Sequence, residues 1–331
     1  MSGSAAKRVL QYAARGPLFK TLSSVPPADE WCTHGTTLAH QLNPQPATEE
    51  EEATFTNNFD KDIIMASRIF HLYLPIYFWC RQLVQNARAT NPKQAVGIGL
   101  SAPQGCGKTT LVNFLTELFH RDGLVCSAVS FDDFYLTGEE QDIVSVEHAS
   151  NPLLQVRGNA GTHDVELGES TLRALLQRDP NVSIPRYNKS ARNGRGDRYD
   201  RSMWLKQTNK SDVVLLEGWM AGFVPTAVSG SGGGGGGDSG GGSGGGDSGG
   251  GGDDDARGSL REIDGMLSAY DAWHQQMDAW VVVEIDELEH VYQWRLEAEH
   301  AMKASGRDGM SDDEVHEIYK SFVLTLYHNI Y

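Results

Sequence analysis

Four short apolar runs mark out the chain: AVGIGLS from Ala95, LVCSAVSF from Leu124, VVLLEG from Val213 and AWVVVEI from Ala279. VVLLEG has no polar alternation, and AWVVVEI repeats that pattern, as strands of a parallel sheet covered on both faces do. Between the runs the spacing turns helical, over about Lys108–His120 and again over Leu167–Gln177. Val182–Ile184 reads as a short strand or extended segment. Ahead of the first run, from Lys61 to about Arg88, apolar residues recur at Ile64, Phe70, Tyr73, Leu74 and Phe78. This spacing predicts a helix kinked or divided at Pro75. Near the end, YQWRLEAEHAMKASGRDGMSDDEV predicts a helix that breaks at Gly306 and Gly309 and restarts at an SDDE cap. Short buried strands separated by helices give a three-layer α/β fold with a mainly parallel central sheet.

Composition changes this picture in two places. Residues 229–255, SGSGGGGGGDSGGGSGGGDSGGGGDDD, have no apolar surface to bury and carry the largest backbone ordering cost. They read as a flexible Gly/Ser/Asp insertion in a surface loop, tolerated because closure entropy grows slowly with length. Residues 1–60 form an N-terminal extension that ends in an acidic linker around TEEEEATFTNNFD, and residues 61–331 form the main domain. The first 28 residues hold Lys7, Arg8, Arg15 and Lys20 and no acid, which suits an organelle transit peptide and an ordinary basic helix equally.

Twenty-eight Lys and Arg against 44 Asp and Glu leave a formal charge of −16, a poor surface for general nucleic-acid binding. No apolar run reaches the roughly eighteen residues of a membrane span, and the best, IFHLYLPIYFWC from Ile69, contains Pro75. A soluble chain with neither nucleic-acid nor membrane partner is expected. The four cysteines show no metal-like spacing and read as reduced thiols.

The chemistry begins at SAPQGCGKTTLV, which follows the first strand and opens a helix. Phosphate binding needs inward-pointing backbone N–H groups at a helix N-terminus. Gly105 and Gly107 supply the freedom, Lys108 the charge for the β- and γ-phosphates, and Thr109 a hydroxyl for Mg²⁺. Gln104, Cys106 and Thr110 complete the nucleotide-binding stretch. Ala102 stands where the usual pattern has glycine and needs only a conformation open to other residues. SFDDFYLT then places Asp132 and Asp133 at the carboxyl end of the second strand, where ligands sit in open α/β sheets. A kinase acting on a hydroxyl needs a carboxylate to orient it or accept its proton, and Asp132 suits that role; a capped turn is the alternative. Glu217 ends the next buried strand and can hold Mg²⁺ directly or through water. Two polar segments supply an acceptor pocket, RGNAGTHD from Arg157 and PRYNKSARNGRGDRYDR from Pro185, since a guanidinium clamps a small carboxylate. A solvated basic loop is the competing reading of the second. Arg295, Lys303 and Arg307 suit a lid, with an Arg295–Glu299 surface pair as the alternative.

Taken in order, SAPQGCGKTTLV, DDFYLT, RGNAGTHD, PRYNKSA..GRGDR, EGWM.GF, AYDAW...DAWVV, Y.WRLEAE.AM and GMSD.EV resemble the plant-type D-glycerate 3-kinases. These are P-loop kinases grouped with uridine kinase, pantothenate kinase and phosphoribulokinase. The similarity runs from about Gly16 to the end, outside the glycine tract. It implies a P-loop NTPase-type fold with a helical lid, and phosphorylation of D-glycerate on its 3-hydroxyl with ATP and Mg²⁺. Photorespiratory carbon recovery in the chloroplast stroma is implied too, with the cytoplasm as the alternative. Asp132 matches the group's catalytic aspartate and Glu217 its second acidic position, so Lys108, Asp132 and Glu217 are the implied catalytic set. Thr109, Asp132 and Glu217 are the metal set. Arg157, His163 and Asp164 fall in the acceptor segment, Arg186, Tyr187, Lys189, Arg195 and Arg198 in the basic loop, and Arg295 at the first lid arginine. Arg192-Asn193 replaces an expected Tyr-Ser, and members usually continue past Tyr331 into another strand. Another small hydroxyl acceptor (a sugar, a nucleoside or pantothenate) and a non-catalytic ATP-binding scaffold remain open, as does oligomeric state. Cys106, at a helix N-terminus, is also a candidate for a stabilised thiolate.

Overall fold

The computed structural model describes residues 3–42, 63–226, 251–287, 289–304, 311–313, 315–316 and 319. The acidic linker, most of the glycine tract, Gly306, Arg307, Gly309 and the end of the chain from Lys320 lie outside the described residues.

Four strands form one parallel sheet: β1 (Val96–Ser101), β2 (Cys126–Ser130), β7 (Val213–Gly218) and β8 (Ala279–Val282). Their order is β2-β7-β1-β8, so β7 lies between the phosphate-loop strand and the aspartate strand. The apolar runs sorted correctly because both faces are covered. Val96, Ile98, Leu100, Val213 and Leu215 face one core, and Val214, Leu216 and Val129 face another. Gly97 and Gly99 leave room on the second face, where the Trp280 ring occupies the space a side chain at residue 99 would need.

The first core is built by α1 (Gly3–Ala13), α2 (Ala28–Leu42), α3 (Ile63–Thr90) and α4 (Lys108–Arg121). In α1, Val9 and Ala13 are fully buried, so this basic segment is a packed helix of the fold. Trp31 of α2 is fully buried between Phe78 at 4.7 Å and Phe19 at 5.6 Å. The division in α3 lies just before Pro75: Arg68–Tyr73 is π-helical, and the Leu74 N–H donates to the Ile69 carbonyl. The extra residue in that turn rotates what precedes it by about 100°. Ile64, expected on the apolar stripe, is therefore 67% exposed while Phe70, Leu74 and Phe78 are buried. As one helix, Ile63–Thr90 has 28 residues and is apolar enough to cross a membrane, which the count of unbroken runs missed. Its apolar side lies in the core.

The second core lies under α6 (Val165–Leu176), α7 (Gly251–Met266) and the helical turns Leu267–Tyr270 and Asp271–His274. Here α5 (Gly138–Glu147) precedes α6 in the chain. Helix α7 begins inside the glycine tract, so residues 251–255 are helical where the composition predicts loop. At its other end, Asp264 accepts hydrogen bonds from the Thr226 N–H (2.9 Å) and hydroxyl (3.0 Å), tying down the chain that enters the tract.

Val182–Ile184 is a strand, β3, but it lies outside the main sheet and pairs antiparallel with β6 (Leu205–Gln207). Between them, β4 (Tyr187–Asn188) and β5 (Asp197–Arg198) close the basic loop as a small antiparallel hairpin. Helix α8 (Glu289–Ala304), in the segment expected to form a lid, follows β8.

Candidate active site

Sheet register assembles the site. Leu100 of β1 and Ser130 of β2 both pair with Glu217, so the three strands end side by side and their loops share one edge. From β1 the chain turns through Gln104, Gly105, Cys106 and Gly107 into α4. Gly105 (φ 81°) and Gly107 (φ 91°) take the left-handed backbone that a compact phosphate loop requires. Ala102 does not; it is buried with an ordinary φ. Lys108 Nζ donates to the Ala102 and Pro103 carbonyls, each at 2.9 Å, so the ammonium lies across the loop it serves. Thr109 is exposed and Thr110 half-buried in the first turn of α4. A Cβ on Gly105 would come 2.7 Å from Trp294 Cβ, so α8 rests on this loop. Burial pushes the Cys106 thiol up, and the Lys108 charge offsets this only in part. The candidate thiolate at that helix end is therefore not favoured, which leaves Cys106 as a small residue tolerated in the loop.

The second loop starts with a capping box. Ser130 Oγ accepts the Asp132 N–H at 3.3 Å, and Asp133 Oδ2 accepts the Ser130 N–H at 3.5 Å. Asp133 thus caps the turn, the alternative the sequence allowed, while Asp132 pairs with Lys189. Burial opposes ionisation of Asp132, but the Lys189 ammonium paired with it and the Tyr135 hydroxyl outweigh burial and hold its carboxyl below the usual range. Asp133 is pushed up to about 6 by burial, against the pull of Arg186 at 2.7 Å. Burial also raises Glu217, with Asp132 adding to the effect and Ser130 and Lys108 opposing it.

Asp132, paired with Lys189, Asp133, paired with Arg186, and Glu217 are three carboxylates within electrostatic reach of one another at this edge. Their oxygens and the Thr109 hydroxyl are the hard donors Mg²⁺ takes. Among the described residues no three His, Cys, Asp or Glu side chains form a ready metal cluster. A donor set of this kind fits an ion completed by phosphate and water.

The RGNAGTHD segment lies alongside this turn. The Leu136 N–H donates to the Thr162 carbonyl at 3.0 Å and the Asp164 N–H to the Phe134 carbonyl at 2.8 Å. His163 is buried, stacks on Tyr135 at 4.5 Å, and its Nδ1 is 2.8 Å from the Tyr270 hydroxyl. Burial pushes it down to about 3, with only partial relief from Asp132, so the ring is neutral. Asp164 caps α6 through the Leu167 N–H (3.0 Å) and receives Arg198 Nη1 (3.0 Å). Arg198 also donates to the Tyr135 carbonyl through Nε (3.2 Å) and Nη2 (2.9 Å). The Tyr187 ring meets Tyr135 edge-on at 5.3 Å.

Not every expected acceptor residue faces Asp132. Arg157 donates to the backbone carbonyls of Gly194 (2.8 Å), Arg195 and Lys189 (3.3 Å), and lies over the Tyr187 ring. Arg195 pairs with Asp142 of α5 at 2.7 Å, and so does Arg192 of the Arg-Asn departure. Arg192 and Asn193 both have left-handed backbones (φ 52° and 56°) leading into Gly194. Arg295 pairs with the buried Glu299 at 3.1 Å, the helix-pair alternative. Sequence reasoning singled out neither Tyr135 nor Tyr270. Tyr135 sits inside the quoted DDFYLT, but an aromatic residue beside buried strands reads as core.

No family model matches the sequence. The chain is 35% identical, over 98% of its own length and 68% of the relative's, to "D-glycerate 3-kinase, chloroplastic" of Arabidopsis thaliana. It is 41% identical to "Uncharacterized kinase mug58" of Schizosaccharomyces pombe, over 68% of this chain and 78% of that one. Among solved structures it is similar to the D-glycerate 3-kinase from Cryptococcus neoformans, with 27% identity and a TM-score of 0.62 over 77% of this chain and 88% of that one. Near-full-length similarity at this level, on a parallel sheet whose edge carries a phosphate loop and two strand-end acids, places the chain in the D-glycerate 3-kinase family of P-loop kinases.

Proposed function

We propose that this kinase transfers the γ-phosphoryl group of ATP to the 3-hydroxyl of D-glycerate, giving 3-phosphoglycerate and ADP. The observation that carries the proposal is the register that aligns Leu100, Glu217 and Ser130, because it brings the phosphate loop, Glu217 and Asp132 to one edge. In-line attack by the hydroxyl oxygen forms the new P–O bond as the bond to the β-phosphate oxygen breaks, and the hydroxyl proton passes to Asp132. Lys108 and the loop amides hold the β- and γ-phosphates. Thr109 and Glu217, with Asp132, would hold Mg²⁺, which when bound neutralises phosphate charge. A carboxylate orients the hydroxyl by accepting its hydrogen bond and need take the proton only late, which suits a reaction whose transition state is loose. His163, neutral and buried, keeps the Tyr135 ring against Asp132.

The compartment proposed is the chloroplast stroma, with photorespiratory recovery as the setting; the plant relative's name supports the chloroplast, and the fungal relatives leave the cytoplasm as the competing assignment. The test of the reaction is ADP release from Mg-ATP with D-glycerate, L-glycerate, uridine, pantothenate and ribulose 5-phosphate compared side by side. Turnover confined to D-glycerate is expected. Turnover with another acceptor keeps the kinase chemistry and overturns the substrate. ATP binding without turnover for any acceptor supports a scaffold.

A further inference from the structure

Six cations, Arg157 and five from the basic loop, surround the acceptor region, and their partners divide them. Arg157 holds three backbone carbonyls of the loop itself. Arg198 is held between Asp164 and the Tyr135 carbonyl, and Arg192 and Arg195 are both on Asp142. These four build the loop and fix it to the domain. Arg186 and Lys189 instead reach the strand-end acids, Arg186 on Asp133 and Lys189 on Asp132.

Lys189 differs from Arg186 in exposure. Its side chain is 60% exposed while that of Asp132 is 30% exposed, so the ammonium caps the carboxylate from the solvent side. A pair this open to water is weak and exchanges readily. The lysine stem rotates freely and carries a compact charge with three donors. Its backbone stays fixed: the Lys189 carbonyl accepts from Arg157 at 3.3 Å, and the adjacent Asn188 pairs with Asp197 in the β4–β5 hairpin. Moving the ammonium therefore needs side-chain rotation alone.

We infer that Lys189 selects acceptors by their carboxylate: it occupies Asp132 until an anionic acceptor arrives, then transfers to the acceptor's carboxylate and leaves Asp132 free for the hydroxyl. An uncharged polyol offers nothing to draw the ammonium away, so the aspartate stays occupied. The acceptor's negative charge thus acts twice, once as a binding contact and once as the trigger that exposes the catalytic carboxylate. This inference rests on the proposed D-glycerate reaction.

The test compares D-glycerate with D-glyceramide, the same acceptor with its charge removed, by kcat/KM for ADP release and by calorimetric affinity. In Lys189→Met the preference for acid over amide should fall about 10- to 100-fold, the size of one charge-assisted contact. Lys189→Arg should retain that preference within about threefold. An unchanged preference in Lys189→Met, or acid and amide activities that fall by the same factor, would overturn the inference and leave Lys189 as a positioning residue for Asp132. Wild-type protein that phosphorylates a different acceptor and not D-glycerate would instead overturn the proposed function. Thermal melting of each variant checks the fold, which a substitution at so exposed a side chain should leave intact.

Discussion

Single residues in this site are defined by their partners more than by their type. Asp132 and Asp133 are neighbours of the same kind, yet one sits below the usual carboxylate range and the other is pushed up to about 6. The difference lies in which cation each meets and how deeply each is buried. Removing the charge of Asp132 without changing its shape separates chemistry from binding. Asp132→Asn should lower kcat by about 10²- to 10⁴-fold, the range of a lost general base. Its ATP affinity, measured by equilibrium binding, should stay within about threefold. A comparable loss of ATP affinity would place Asp132 in nucleotide binding. Sequence position alone exposed Asp132 and Glu217, because the end of a buried strand is a definite place in a parallel sheet. It did not expose the roles of the arginines. Charge is legible in a sequence, but the carbonyls that Arg157 holds and the acid that Arg195 meets depend on how a loop folds back.

At the level of elements, legibility followed length and periodicity. β1 and β7 are six-residue strands that open on unbroken stretches of apolar residues and glycine, VGIGL and VVLL, and were plain. β4 and β5 have two residues each, too short for any pattern to register. β3 was legible as a strand but not as a partner of β6, since pairing depends on distant chain. The π turn in α3 escaped because it keeps the helix while slipping its stripe. Residues 3–42 carried no chemical motif, yet they join the first core through side chains such as Trp31. This element is therefore structural support for the face beneath β1 and α4. Trp31→Ala should destabilise the protein by about 3–5 kcal/mol, the usual cost of emptying a buried tryptophan site. Urea denaturation would show it as a lower midpoint, and a midpoint that does not move would mean that α2 is dispensable to the core.

Across the whole molecule, acid should loosen the fold. Burial pushes His163 down to about 3 and His274 down to about 4. The unfolded chain therefore takes up protons near pH 6.5 that the folded one refuses. Their contribution stands in full above about pH 6.5 and is lost as pH falls toward 4 and below. Asp133, raised by burial, works in the opposite sense and becomes less costly below about 6. The net effect should be a loss on the order of 4 kcal/mol between pH 7 and pH 4, read from urea midpoints across that interval. A flat profile would mean that both rings are hydrated in solution. The hydrogen bonds from Thr226 to Asp264 have a different consequence at this scale. They anchor the entry to the glycine tract about 20 Å, the rise of α7 from Gly251 to Asp264, from the start of that helix. About six extended residues would bridge that gap, and residues 227–250 supply 24. The tract is thus far longer than a connector needs to be, and the two halves it joins hold each other without it. The second half inserts β8 beside β1, and Trp273 donates to the Val165 carbonyl at 2.8 Å. A protease site placed at Gly236 and cut should yield two polypeptides that elute together and keep most of the uncut activity. Fragments that separate on a sizing column would refute this. If they stay together, the gene could be divided at the tract and the enzyme reconstituted from two separately made chains.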